Sequence, residues 1–212
     1  MRGSHTPTLS DQCWTFARAL KETVLFIFER INVVRGPYER WTTQVPSSVR
    51  SILFVCKGNI CRSPLAEEYF RSLAREQVAV RSAGLDTTPG KPAHPNSKVI
   101  ARQGRLSLDT HATTQIHEEL VDQSDLIIVM ELRQKNRIYS LYPRARGKVV
   151  LLGCFDPSGP LEIADPYSGT IDDFRRCFEQ VSRCCDSLAA KLNLPPSPHA
   201  VSHKSTTASE PA

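Results

Sequence analysis

The chain has no apolar stretch long enough to cross a membrane. A span needs about 20 predominantly apolar residues, and the nearest candidate, Asp11 to Val34, is broken by Arg18, Lys21, Glu22, Glu29 and Arg30. That segment also lacks the charged start, apolar centre and cleavage site of a secretory signal. No run of Lys and Arg and no aromatic ladder marks a nucleic-acid surface, and the formal net charge is only +5 over 212 residues. No cysteine–histidine spacing suits a zinc ion. A disulfide framework is missing too. The seven cysteines (Cys13, Cys56, Cys61, Cys154, Cys177, Cys184 and Cys185) are odd in number and scattered, which fits a reducing, cytoplasmic setting. What is present is a 40% hydrophobic chain, enough for one domain with extensions.

Apolar runs at Ser51–Val55, Val78–Ser82, Asp125–Met130 and Lys148–Gly153 alternate with helical stretches. Such alternation predicts an α/β fold, a parallel sheet with helices on both faces. Pro64 to Arg75 places Leu65, Tyr69 and Leu73 at helical spacing. A long last helix is expected over Asp172 to Leu192. Thr170 and Asp173 form a capping box at its start, and Phe174, Cys177, Val181, Cys184 and Leu188 mark its buried side.

The informative segment is Phe54 to Pro64, FVCKGNICRSP, which joins the first strand to the first helix. Unpaired N–H groups and the helix dipole attract anions at such a junction. Gly58 permits unusual backbone angles, and Asn59 is one of the few other residues that accept a left-handed one. The N–H groups of Lys57 to Ser63, with Ile60 and Cys61 between, can therefore turn inward as a nest for phosphate. Arg62 adds a planar fork that grips two phosphate oxygens. Cys56 lies at the floor, where a helix start and a cation favour its thiolate, and Ser63 can hydrogen-bond the sulfur. The chemistry implied is attack of Cys56 on a phosphate ester, giving a cysteinyl-phosphate later released by water.

C-x-G-N-I-C-R-S-P after an apolar strand resembles the low-molecular-weight protein tyrosine phosphatases. Further landmarks are similar: Ser82-Ala83-Gly84, Gly90-Lys91-Pro92-Ala93, Leu106 to His111 (LSLDTH), Asp125 to Met130, and the turn Asp165-Pro166-Tyr167. The resemblance covers roughly residues 50 to 193. It implies four strands in the order 2-1-3-4, no metal or organic cofactor, and a site at the strands' carboxyl ends. It also implies Asp165 as general acid and then base, and Leu85 and Tyr167 as pocket walls. Cys61 is implied as a partner that traps oxidised Cys56 in a reversible disulfide, with loop filler as the alternative. His94 and His111 are read as helix-end or packing residues without catalytic role.

Eukaryotic-type members carry an aromatic soon after SAG, whereas Leu85 follows here. With LSLDTH and the long last helix, this resembles bacterial phosphatases paired with the tyrosine kinases of exopolysaccharide assembly. Two departures stand out: Ser168 replaces a second aromatic after DPY, and Lys57 replaces the usual small or apolar residue. Lys57 at the rim would favour acidic peptides, and a solvated surface lysine is the alternative. Arsenate reductases on this scaffold need two further cysteines, where this chain has Glu131 and Ile138. Protein-arginine phosphatases carry threonine where Ile60 stands, and isoleucine suits a phenyl ring better than a guanidinium. A non-catalytic phosphopeptide-binding module would have lost the nucleophile, arginine or acid, and all three are here. The expected partner is a phosphotyrosine protein, a tyrosine autokinase among the candidates.

The ends are separate in character. Residues 1–49 form an extension, and its start, MRGSH, is either native or a tag remnant. Trp14, Ala17, Leu20, Val24, Ile27 and Ile31 make one stripe of an amphipathic helix, and Trp41 to Ser48 reads as a linker. Three uses compete for the helix: packing on the catalytic domain, pairing in a dimer, or lying on a membrane surface. Packing or pairing is favoured. Residues 194–212, rich in Ser, Thr, Pro and Ala, are expected to be disordered.

Overall fold

A computed structural model describes residues 45, 46 and 48–194. The amphipathic helix, most of the linker and the tail expected from the sequence lie outside the described residues. The sheet has four parallel strands, β1 (Ser51–Cys56), β2 (Ala79–Gly84), β3 (Leu126–Val129) and β4 (Val149–Leu151), in the order β2-β1-β3-β4. The helices are α1 (Arg62–Ala74), α2 (Pro95–Gln103), α3 (Glu118–Asp122), α4 (Leu132–Leu141) and α5 (Ile171–Lys191).

Strand side chains alternate between two cores, as the period of two requires. Ile52, Phe54, Leu126, Ile128 and Val150 pack against α1 and α5. Leu53, Val55, Ile127, Val129, Val149 and Leu151 pack against α3 and α4. A sheet buried on both faces reads as continuous apolar runs, which is why these strands were legible. Across the first core the Phe54 and Phe70 rings meet at a centroid distance of 5.7 Å. On α5, all five residues expected to be buried are buried, and its start is held by Asp173, whose carboxylate accepts the Thr170 N–H at 2.7 Å.

Element boundaries differ from expectation by one or two residues, and two of the differences bear on the site. Strand β4 ends at Leu151, and Leu152–Phe155 turns into a 3₁₀ helix. Helix α1 begins at Arg62, two residues before the expected Pro64, which still sits in the first turn where its missing donor costs nothing. At the strands' amino ends, Asp125 Oδ2 accepts from the N–H groups of Arg50 at 2.8 Å and Ser51 at 3.0 Å, tying β1 to the start of β3. The carboxyl ends of all four strands leave on the opposite side.

Gly153 decides how the chain returns to that side after β4. A Cβ there would lie 2.0 Å from the Leu161 carbonyl oxygen, a contact with rigid backbone. Gly153→Ala is therefore expected to displace the 160–165 segment and to destabilise the protein by about 1–3 kcal/mol, the usual cost of overpacking. Urea unfolding checks this, and an unchanged midpoint would contradict it.

Candidate active site

Cys56 is the last residue of β1 and the next five residues form the loop into α1. Asn59 holds the loop's shape. Its φ of 53° is left-handed, and it is fully buried with every polar group engaged. Its Nδ2 donates to Ser63 Oγ at 3.0 Å and to Ser82 Oγ at 2.7 Å. Its Oδ1 accepts the Thr114 N–H at 2.8 Å, and its carbonyl oxygen lies 2.8 Å from His111 Nε2. Ser82 Oγ in turn donates to Glu67 Oε2 at 2.5 Å. The sulfur of Cys56 receives the Asn59 N–H at 3.2 Å and stands 3.0 Å from Ser63 Oγ.

Arg62 opens α1 with its guanidinium 1% exposed. Nη1 donates to Glu131 Oε1 at 2.5 Å and to the Ile163 carbonyl at 3.0 Å, while Nη2 donates to Asp165 Oδ2 at 2.6 Å. Burial works against this charge, but Cys56, Asp165 and Glu131 outweigh it and raise the pKa above the ordinary guanidinium value. Burial also works against the Glu131 charge. There the hydrogen bonds from Arg62 and Arg133 win and hold the carboxyl below its usual range.

A cleft of about 210 Å³ opens over the sulfur, lined by Lys57, Gly58, Ile60, Cys61, Arg62, Asp86, Asp165 and Tyr167 as well as Cys56. Asp165 is oriented from within its own turn, where its Oδ1 accepts the Tyr167 N–H at 3.3 Å. Tyr167 is 59% exposed, with its ring edge-on to His94, which stacks on Phe174 at 4.7 Å. Cys61 is buried, and that burial, with Cys56 and Asp165 nearby, pushes its thiol up to about 12. The six cysteines among the described residues are all free thiols, Cys56 and Cys61 included.

The cleft brings together Cys56, Arg62, Asp165 and Tyr167 with Lys57, Gly58, Ile60 and Cys61, whereas Asn59 and Ser63 are buried and do not line it. Leu85 is a correction. It packs with Ala83 against the second core instead of walling the cleft, because alternate residues of an extended segment share a side. Its neighbour Asp86 takes the cleft position. His111 is a second revision, since its ring supports the loop through Asn59 as well as packing. Sequence reading missed Glu131, Ser82 and Thr114. Glu131 left one signal, an acid placed directly after the buried run of β3. Ser82 stood out only as part of Ser82-Ala83-Gly84, which does not reveal its bond to Asn59, and Thr114 left no signal, being an ordinary hydroxyl residue between α2 and α3.

The chain matches the family described as low molecular weight phosphotyrosine protein phosphatase over residues 51–195. It belongs to that family. It is 39% identical over 143 residues to the low molecular weight protein-tyrosine-phosphatase Wzb of Escherichia coli, covering 68% of this chain and 95% of that protein. A protein-arginine-phosphatase of Bacillus subtilis is 33% identical over 144 residues, covering 66% and 95%. Among solved structures, tyrosine phosphatase Wzb of Escherichia coli with sulphate superposes with a TM-score of 0.65 at 33% identity, over 68% of this chain and 99% of that one. As a member of the phosphatase family the chain is a hydrolase of phosphate monoesters. Its strand order and cysteine loop agree with the fold that the resemblance implied.

Replacing Glu131 by glutamine keeps an acceptor for Arg62 but removes the negative charge, leaving Asp165 as the carboxylate bonded to the buried guanidinium. Glu131→Gln is expected to cost about 1–3 kcal/mol at pH 7, the range for a buried hydrogen-bonding group that loses its charged partner. Because the folded Glu131 carboxyl titrates below its unfolded value, its contribution is present above about pH 4.5 and fades as pH falls through the folded pKa. The variant should therefore show a smaller loss of stability below about pH 4.5 than the wild type. Equal acid limbs in urea titrations would refute the assignment.

Proposed function

We propose that this protein hydrolyses phosphotyrosine in proteins through a cysteinyl-phosphate at Cys56. The observation that carries the reading is the convergence of Cys56, Arg62 and Asp165 on one cleft at the end of β1. The Cys56 sulfur attacks phosphorus while the inward N–H groups of the loop and the Arg62 fork hold the equatorial oxygens. Asp165 Oδ2 stands 2.6 Å from Arg62 Nη2, so a phosphate gripped by Arg62 has this carboxyl beside its ester oxygen. Asp165 gives a proton to the departing phenolic oxygen, then takes one from the water that attacks the cysteinyl-phosphate. Ser63, 3.0 Å from the sulfur, stabilises the thiolate when it departs. Lys57, Gly58, Ile60 and Cys61 supply the rest of the cradle.

Tyrosine is preferred to arginine because the apolar Ile60 and Tyr167 side chains line the cleft and suit a phenyl ring. Arsenate reduction is disfavoured by the two positions where redox cysteines would stand. Glu131 there binds Arg62, and Ile138 is buried in the second core. In this reading Cys61, which lines the same cleft, protects an oxidised Cys56 by trapping it as a reversible disulfide. The setting we assign is cytoplasmic, opposing a bacterial tyrosine kinase of exopolysaccharide assembly. Residues 50–193 are the catalytic domain in this reading, with the N-terminal extension serving packing on that domain or pairing with another subunit. Among the described residues no helix is long and apolar enough to cross a membrane.

Peptides bearing phosphotyrosine, phosphoarginine or phosphoserine, assayed under reducing conditions, test the assignment. Hydrolysis should be confined to phosphotyrosine and abolished by Cys56→Ser. Asp165→Asn should slow it by about 10²–10⁴-fold, the usual worth of a general acid. A preference for phosphoarginine would transfer the chain to the arginine-specific class, and an unchanged rate in Asp165→Asn would displace the acid.

A further inference from the structure

The cleft contains a charge that neither the motif nor the phosphate chemistry calls for. Asp86 lines it as an exposed carboxylate, two residues beyond the end of β2. Nothing among the described residues neutralises it. Asp86 and the neighbouring Lys57 make no side-chain hydrogen bond or ion pair there. An acid beside a phosphate site repels the phosphate, so it weakens binding of the bare anion unless another part of the ligand answers it.

The backbone around Asp86 is fixed on both sides. The Leu85 N–H donates to the Cys56 carbonyl at 3.0 Å, and the Asp86 N–H to the Lys57 carbonyl at 2.9 Å. Gln115 holds the other edge, its Oε1 accepting the Thr87 N–H at 3.0 Å and its Nε2 donating to the Leu85 carbonyl at 3.1 Å. A Cβ at Gly84 would come within 3.0 Å of the Lys57 carbonyl, so the segment lies directly on the phosphate loop. The carboxylate is therefore a short side chain on a pinned backbone. Lys57 carries its charge on a flexible, strongly hydrated stem and loses more entropy when it is fixed against a ligand. Of the two rim charges, Asp86 is the better placed to discriminate. The sheet order also matters. Asp86 follows the edge strand β2, whereas Asp165 lies on the segment after β4, so the two carboxyls reach the cleft from different parts of the sheet.

We propose that Asp86 is a specificity-determining residue that selects phosphotyrosine peptides with lysine or arginine beside the phosphotyrosine. A basic flanking side chain meets Asp86 at the rim while the phosphate descends to Cys56 and Arg62. An acidic flanking residue meets a like charge there. This reverses the preference that Lys57 alone implies. It rests on the phosphotyrosine reading given above and deepens it.

The test uses the full chain and three phosphotyrosine peptides whose flanking residues are lysine, alanine or glutamate. Wild type should favour the lysine peptide. Asp86→Asn should lower the lysine-to-glutamate ratio of kcat/KM about two- to fivefold, the worth of one exposed ion pair. Asp86→Lys should invert the order, and the differences should shrink at about 0.5 M salt as screening predicts. A wild type that favours the glutamate peptide, or a ratio unmoved in both variants while all three peptides are hydrolysed, would overturn the role of Asp86 and leave the phosphatase reading standing. Failure of wild type to hydrolyse any of the three would overturn both.

Discussion

A guanidinium 1% exposed is the constraint around which this molecule is arranged. Taking such a charge out of water costs several kcal/mol, even after the surroundings relax. The cost is offset only if acceptors surround the fork with good geometry. Arg62 finds three, from two separate parts of the chain: Glu131 just past β3, and the Ile163 carbonyl and Asp165 on the segment that follows β4. The return of the chain after β4 is thereby tied to the loop after β1. Ile163 is held a second time, its N–H donating to the Met130 carbonyl at 2.9 Å. A phosphate ester adds acceptors to the same fork, so the arginine that organises the protein is also preorganised to stabilise phosphoryl transfer.

Asn59 performs the neutral counterpart of this work. A left-handed asparagine in a buried loop is tolerable only if its amide and carbonyl are satisfied, since each unpaired polar group would cost about 1–3 kcal/mol. Here the partners come from Ser63, Ser82, Thr114 and His111. They lie on α1, on β2 and in the segment between α2 and α3. The loop is thus specified by groups 4 to 55 residues away as much as by its own sequence. Rigidity there serves the chemistry, because N–H groups already aimed at an anion need no reorganisation when charge moves.

What was legible in the sequence follows from which forces are local. Strand β1 and the cysteine loop were read because a doubly buried parallel strand is a continuous apolar run, and because Gly58, Asn59 and Arg62 each have few other uses in that pattern. The long last helix was read from its periodicity. Glu131, Ser82 and Thr114 were not read, because a clamp across the sheet is a tertiary fact with no spacing of its own. Strand β4 was drawn too long for a related reason. Lys148 to Gly153 has the composition of a strand, yet Gly153 meets the Leu161 backbone so closely that the chain must turn there.

The exchange of Leu85 for Asp86 concerns parity. Motif comparison says that the residues after Ser82-Ala83-Gly84 wall the cleft, but the phase of the extended chain settles which of them does. Ala83 and Leu85 share the core side, leaving Gly84 against the loop and Asp86 at the cleft. A shift of one residue would put a leucine over the phosphate and an aspartate into the apolar core. The second outcome is the costly one, since an unpaired buried carboxylate is far worse than an exposed leucine. Core packing therefore fixes the phase, and the chemistry of the rim inherits it. In this chain the hydrophobic demand of the second core is what presents a negative charge to an incoming substrate.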